Sequence, residues 1–136
     1  MACLDTGVIV DLIGHGGRRR HAQVAAALRR FAARGEFLTT TRFSVAELWV
    51  GIERSADPQR ERAEVEQALQ DLIVLEFDNA GAKTFGRVQA FLARQGTPVG
   101  DLDVLIASVA LVHGQKLITN NLRHFSAIPG LLVEGY

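Results

Sequence analysis

Gly100-Asp101-Leu102-Asp103-Val104-Leu105-Ile106-Ala107-Ser108-Val109-Ala110-Leu111-Val112-His113, followed by Gly114-Gln115-Lys116-Leu117-Ile118-Thr119, is the stretch that decides the fold. Its first part is apolar almost all round, the pattern of a buried helix, and Gly114 is a natural stop. Leu117-Ile118-Thr119 then reads as a strand. A buried helix that feeds a short apolar strand belongs with a parallel sheet covered on both faces.

Reading outward, the same alternation recurs. Ala2 to Asp5 is a short strand, and Val8-Ile9-Val10 with Leu12-Ile13 a brief helix after it. Gly14-His15-Gly16-Gly17 breaks that helix. His21 to Arg34 carries Val24, Leu28 and Phe31 at helical spacing and meets Gly35. Phe37 to Thr40 is a second strand, and Ser44 to Glu53 a helix with Val45, Leu48, Trp49 and Ile52 on one face. Asp57-Pro58 starts another helix, through Val65, Ala68, Leu69 and Leu72. Ile73 to Phe77 is a third strand, Asp78 caps a helix that stops near Gly96, and Leu131 to Glu134 adds an edge strand. The expectation is an α/β chain with four or five parallel strands, one domain over residues 1–136.

Composition narrows the function. The 136 residues are 48% hydrophobic and 22% charged, the balance of a globular domain. The single cysteine, Cys3, excludes an intrachain disulfide and a cysteine-based zinc cage, and points to a reducing, cytoplasmic setting. Leu105 to Val112 is the longest apolar run, far short of the roughly 20 residues a membrane span needs. Lys+Arg and Asp+Glu are both 15, which disfavours nucleic-acid binding through bulk positive charge. Arg18, Arg19, Arg20, Arg29, Arg30, Arg34 and Arg42 still make the first third locally basic, as an RNA contact or as a solvated face.

Open parallel sheets bind ligands at the carboxyl ends of their strands. Asp5 ends the first strand, Glu47 lies in the first turn of the helix after the second, and Asp103 opens the helix that feeds the fourth. Asp101 is beside Asp103, and Asn121 follows the fourth strand. Clustered carboxylates repel one another and call for a cation or a shared proton. Oxygen donors, with no cysteine and no matching histidine on that rim, favour Mg²⁺ or Mn²⁺ over Zn²⁺. Such a site suits phosphodiester hydrolysis.

Each acid also has a plainer reading. Ser44-x-x-Glu47 forms a capping box, Asp101 an N-cap, and Asp103 a partner for the helix dipole. Only their convergence with Asp5 on one edge lifts them above these. Gly14-His15-Gly16-Gly17 matches no nucleotide fingerprint, and the four histidines are not at metal-ligand spacings.

Five motifs in register carry a resemblance: Leu4-Asp5-Thr6; Ser44-x-x-Glu47-Leu48-x-x-Gly51; Thr97-Pro98-Val99-Gly100-x-x-Asp103-x-x-Ile106-Ala107; Thr119-Asn120-Asn121-Leu122-x-x-Phe125; and Ile128-Pro129-Gly130-Leu131. From Leu4 to Glu134 the chain resembles the PIN-domain ribonuclease toxins of VapC type. The resemblance implies a three-layer α/β/α fold and a Mg²⁺- or Mn²⁺-dependent endoribonuclease acting on a structured RNA, commonly tRNA. It implies silencing by a VapB-type antitoxin, operator DNA reached only through that antitoxin, and a homodimer. The family's acids map onto Asp5, Glu47 and Asp103, as metal ligands, and Thr6 and Thr119 match polar positions beside them; Ser44, Asp101 and Asn121 complete the candidate set. The chain departs from many PIN domains in carrying Asn121, with His124 three residues on, where a fourth acid often stands.

Two other functions compete. An aspartyl phosphatase would use Asp5 as nucleophile, but the position two residues on, which usually supplies its acid, is Gly7. A catalytically weak module that binds an antitoxin in a transcription-regulating complex is the non-enzymatic alternative.

Overall fold

The computed structural model describes residues 1–136. The elements run β1 (Ala2–Leu4), α1 (Thr6–Leu12), α2 (Arg18–Ala33), β2 (Leu38–Thr41), α3 (Arg42–Arg54), α4 (Pro58–Leu69), β3 (Ile73–Leu75), α5 (Asn79–Gln95), α6 (Asp101–Val112), β4 (Lys116–Ile118), α7 (Leu122–Phe125) and β5 (Val133–Glu134). The five strands form one sheet in the order β3-β2-β1-β4-β5, and every pairing is parallel. The chain builds outward from β1 through β2 to β3, then crosses back to lay β4 on the other side of β1. That reversal opens a crevice at the carboxyl ends of β1 and β4.

Alternation along the short strands feeds two cores. Ala2 and Leu4 of β1, with Ile118 of β4, face the helices that contribute Val8, Ile9, Val24, Phe31, Leu48 and Val65. Cys3 and Leu117 face the opposite layer, with Val88, Leu92, Val104, Ile106 and Phe125. Each large side chain buried this completely contributes roughly 1.5–3 kcal/mol. The all-round apolar α6 has Val104, Ile106, Ala107, Val109 and Ala110 buried, as its pattern requires. Thr39 and Thr40 are fully buried in the sheet, and their hydroxyls donate to Gln115 Oε1 and to the Leu4 carbonyl, at 2.5 and 2.9 Å. No helix is long and apolar enough to cross a membrane.

Several helix starts differ from the sequence reading. Helix α2 begins at Arg18 rather than near His21, so the three arginines form its first turn. Helix α3 begins at Arg42, because the Thr41 side chain accepts the Ser44 amide and β2 passes into the helix with no loop. Ser44 is therefore inside the helix and fully buried, not its N-cap, and the capping box with Glu47 does not form. Helix α6 is capped by Gly100, which leaves Asp101 as its first residue rather than its cap. Asp57 and Asp78 are caps as expected, accepting the Arg60 and Gly81 amides.

Candidate active site

Asp5 stands where β1 becomes α1. It caps that helix: its Oδ1 accepts the Thr6 amide at 2.7 Å, and its Oδ2 accepts the hydroxyl of Thr119, just past β4, at 2.8 Å. Thr119 is itself fully buried, and its oxygen accepts the Asn121 amide at 2.9 Å. Burial pushes the Asp5 carboxyl up from 3.8 to about 6; the hydrogen bonds from Thr119 and Thr6 hold it down, and the charges of Asp103 and Glu47 push it up again. The carboxylate is thus pinned by donors yet short of positive charge.

Glu47 reaches the same edge from α3, in its second turn rather than its first. The hydroxyl of Thr6 donates to its Oε1 at 2.6 Å, so Thr6 alone holds two acids at once, Asp5 through its amide and Glu47 through its side chain. Asp103 comes from the first turn of α6. Asp5, Glu47 and Asp103 line one open cleft of about 370 Å³ with Thr6, Gly7, Val10, Asp11, Arg20 and Asn120.

The other expected site residues divide. Thr6 and Thr119 contact the acids directly. Ser44 bonds Thr41 and reaches no part of the cleft. Asp101 accepts from Gln89 Nε2 at 2.9 Å and does not line the cleft, so it does not replace the absent fourth acid. Asn121 turns its amide to His124 Nδ1 at 2.9 Å, and its neighbour Asn120 lines the cleft instead. His124 corrects the reading of a rim without histidine, since its Nδ1 lies 3.6 Å from Asp103 Oδ2. Trp49 is 37% exposed, with the Arg62 guanidinium 5.3 Å from its ring centre, and lies outside the core. Cys3 is buried in β1, and burial pushes its thiol up to about 12, which removes it as a nucleophile.

Sequence reasoning missed Asp11 and Tyr136. Asp11 is only 4% exposed, and the Tyr136 hydroxyl donates to its Oδ2 at 2.5 Å across 125 positions of the chain. No local pattern announces either residue: Asp11 is six positions after Asp5, off the face that helical spacing would share with it, and Tyr136 is distant in the chain.

The donors fit a hard divalent cation. The cleft offers carboxylate, hydroxyl and amide oxygens, and no basic side chain bonds Asp5. No three His, Cys, Asp or Glu side chains are grouped closely enough to enclose an ion on their own. Hard oxygen donors of this kind suit Mg²⁺ better than Zn²⁺, because Mg²⁺ retains waters and takes one or two carboxylates together with substrate phosphates.

Comparison with known proteins agrees with this geometry. The PIN domain family matches residues 2–131. The chain is 39% identical over 107 residues to the tRNA(fMet)-specific endonuclease VapC of Salmonella typhimurium, covering 79% of this chain and 81% of that protein. It is 33% identical to Ribonuclease VapC2 of Haemophilus influenzae, over 98% of this chain and 96% of that one. Among solved structures, DNA-bound VapBC from Salmonella typhimurium superposes with a TM-score of 0.85 at 34% identity, covering 98% of this chain and 96% of that chain. Matched along nearly its whole length by sequence and by fold, the chain belongs to the PIN-domain family, among its VapC ribonucleases.

Proposed function

We propose that this protein is the toxin of a type II toxin–antitoxin pair, an endoribonuclease that hydrolyses RNA phosphodiester bonds with Mg²⁺ or Mn²⁺ at the cleft between β1 and β4. The observation that carries the reading is Asp5, held by Thr6 and Thr119 and facing Asp103 and Glu47 from two further helices. When bound, the cation supplies a Lewis acid for the phosphoryl oxygens and lowers the pKa of water. Asp5 and Asp103 are the residues to hold it. Glu47, fixed by the Thr6 hydroxyl, completes the set and orders the attacking water. Thr119 keeps Asp5 in the rotamer that presents its carboxylate to the cleft.

Relatives named tRNA(fMet)-specific endonuclease support tRNA as the substrate class. VapBC complexes among the structural neighbours, that of Salmonella typhimurium in a DNA-bound form, support a VapB-type antitoxin as partner, with operator DNA reached through it. The phosphatase reading loses ground because Gly7 brings no acid to the cleft.

The test is cleavage of total cellular RNA by antitoxin-free protein with Mg²⁺, Mn²⁺ or EDTA, beside Asp5→Asn. Metal-dependent cutting at discrete RNAs, lost in the variant, is expected. Folded protein that cuts nothing under either metal would overturn the enzymatic reading in favour of the binding module.

A further inference from the structure

We infer that Arg20 is the residue through which the cleft grips the RNA backbone, taking a phosphate next to the one that is cut. This rests on the ribonuclease reading above and goes beyond it by assigning substrate binding to one side chain.

The cleft poses an electrostatic problem. Four carboxylates line it, those of Asp5, Asp11, Glu47 and Asp103, whereas its ligand is a polyanion. A divalent cation beside Asp5 and Asp103 answers only for the phosphate being cut. Arg20 is the single cationic side chain among the lining residues. It forms no ion pair with any of the four carboxylates, although it lies in the same cleft. An exposed guanidinium that faces four acids and pairs with none keeps its donors for an incoming oxyanion, and its planar fork suits a phosphate.

The placement of Arg20 is built into the backbone. A Cβ at Gly16 would overlap Asp11 Oδ1 and stand 3.0 Å from Arg20 Cδ. The absent side chain is therefore the space in which the Asp11 carboxylate and the aliphatic stem of Arg20 lie. Asp11 is held from the other side by Tyr136, so the surface beneath the Arg20 stem is fixed. Its neighbour Arg18 borders a separate hollow with Ile13 and His21, away from the acids. Of the three consecutive arginines, position 20 alone enters the cleft.

The experiment measures binding of unfractionated bacterial tRNA by Asp5→Asn protein, in which nothing is cut, across a series of salt concentrations. Arg20→Ala is added to that background, with Arg18→Ala as the comparison. Removing one phosphate contact should weaken binding about tenfold. It should also flatten the slope of log K against log salt by about 0.7 to 1. Arg18→Ala should do neither. In the cleaving protein, Arg20→Ala should raise KM with kcat nearly kept, and Arg20→Lys should restore part of the loss. If the parent cleaves RNA and Arg20→Ala changes neither affinity nor slope, the inference fails and the ribonuclease reading stands. If Arg20→Ala weakens only the grip of an acidic antitoxin peptide, Arg20 serves the partner rather than the RNA, and the inference is likewise overturned. If the parent neither binds nor cuts RNA, both fall.

Discussion

Thr119 donates its hydroxyl proton to Asp5 Oδ2 at 2.8 Å while the same oxygen accepts the Asn121 amide at 2.9 Å, so one buried side chain ties the ends of β1 and β4 to the turn that follows. The two strands are neighbours in the sheet although 114 positions separate the two residues. Thr119→Val removes both bonds at once and leaves an amide and a carboxylate oxygen short of partners. The expected cost is about 2 kcal/mol of stability. Loss of the group that orients a metal ligand should also reduce cleavage about 10- to 100-fold. Thr119→Ser should keep most of both. Urea unfolding and cleavage rates for the two variants check this, and a Val variant with the parent's rate would mean that Asp5 holds its position unaided.

Asp5 is a burden on the metal-free fold. Its carboxyl titrates near 6 in the folded protein against an ordinary 3.8. As pH rises through that window the unfolded chain releases this proton first, so the group's stabilising contribution is full below 3.8 and is lost by about 6 and above. At neutral pH the gap is worth up to about 3 kcal/mol, less whatever solvent screening and altered hydrogen bonds remove. Asp5→Asn in EDTA should therefore melt a few degrees above the parent at pH 7.5 and show no advantage at pH 4. Added Mg²⁺ should raise the parent's Tm and leave the variant's unchanged. A variant that melts lower at pH 7.5 would show that its lost hydrogen bonds outweigh the buried charge.

Asp101 and Asp103 are separated by one residue and differ in surroundings. Asp103 faces Asp5 and His124, whereas Asp101 is tied to Gln89 on α5. Asp103→Asn should lower the cleavage rate by about 100-fold or more, as expected for loss of a metal-holding carboxylate. Asp101→Asn should leave the rate where it is. Equal losses in the two variants would place both carboxylates at the reaction and would contradict the separation seen in the structure.

The parts legible in the sequence are those fixed by topology. Parallel pairing obliges the residue after β1 and the first turn of α6 to share an edge, so Asp5 and Asp103 follow from element order alone. Glu47 reached that edge by a different local route: the capping box rested on Ser44, but Thr41 took the cap and started the helix at Arg42. Serine and threonine both cap helices, and which of two nearby candidates wins depends on where β2 stops. His124, Asp11 and Arg20 were hidden for another reason. Their roles come from tertiary contacts with Asp103, Tyr136 and the open space at Gly16, and no spacing rule reports a contact across 125 positions.

The Asp11–Tyr136 pair offers the sharpest test of that hidden layer. Asp11 is almost wholly buried, and the tyrosine hydroxyl is the donor to its Oδ2. Burial first, and then the Asp11 carboxylate, holds the Tyr136 phenol well above its ordinary 10.0. Because the folded value is raised, the bond's contribution is present below pH 10 and is lost as the pH climbs beyond it. Tyr136→Phe should cost about 2 kcal/mol at neutral pH, since it strands a buried charge. It should also abolish this group's share of the stability loss above pH 10. In a double-mutant cycle, Tyr136→Phe should cost much less on an Asp11→Asn background than on the parent, because the interaction it removes is already weakened. Additive costs would show that the two side chains are neighbours without being partners, and the surface under Arg20 would then owe its shape to packing alone.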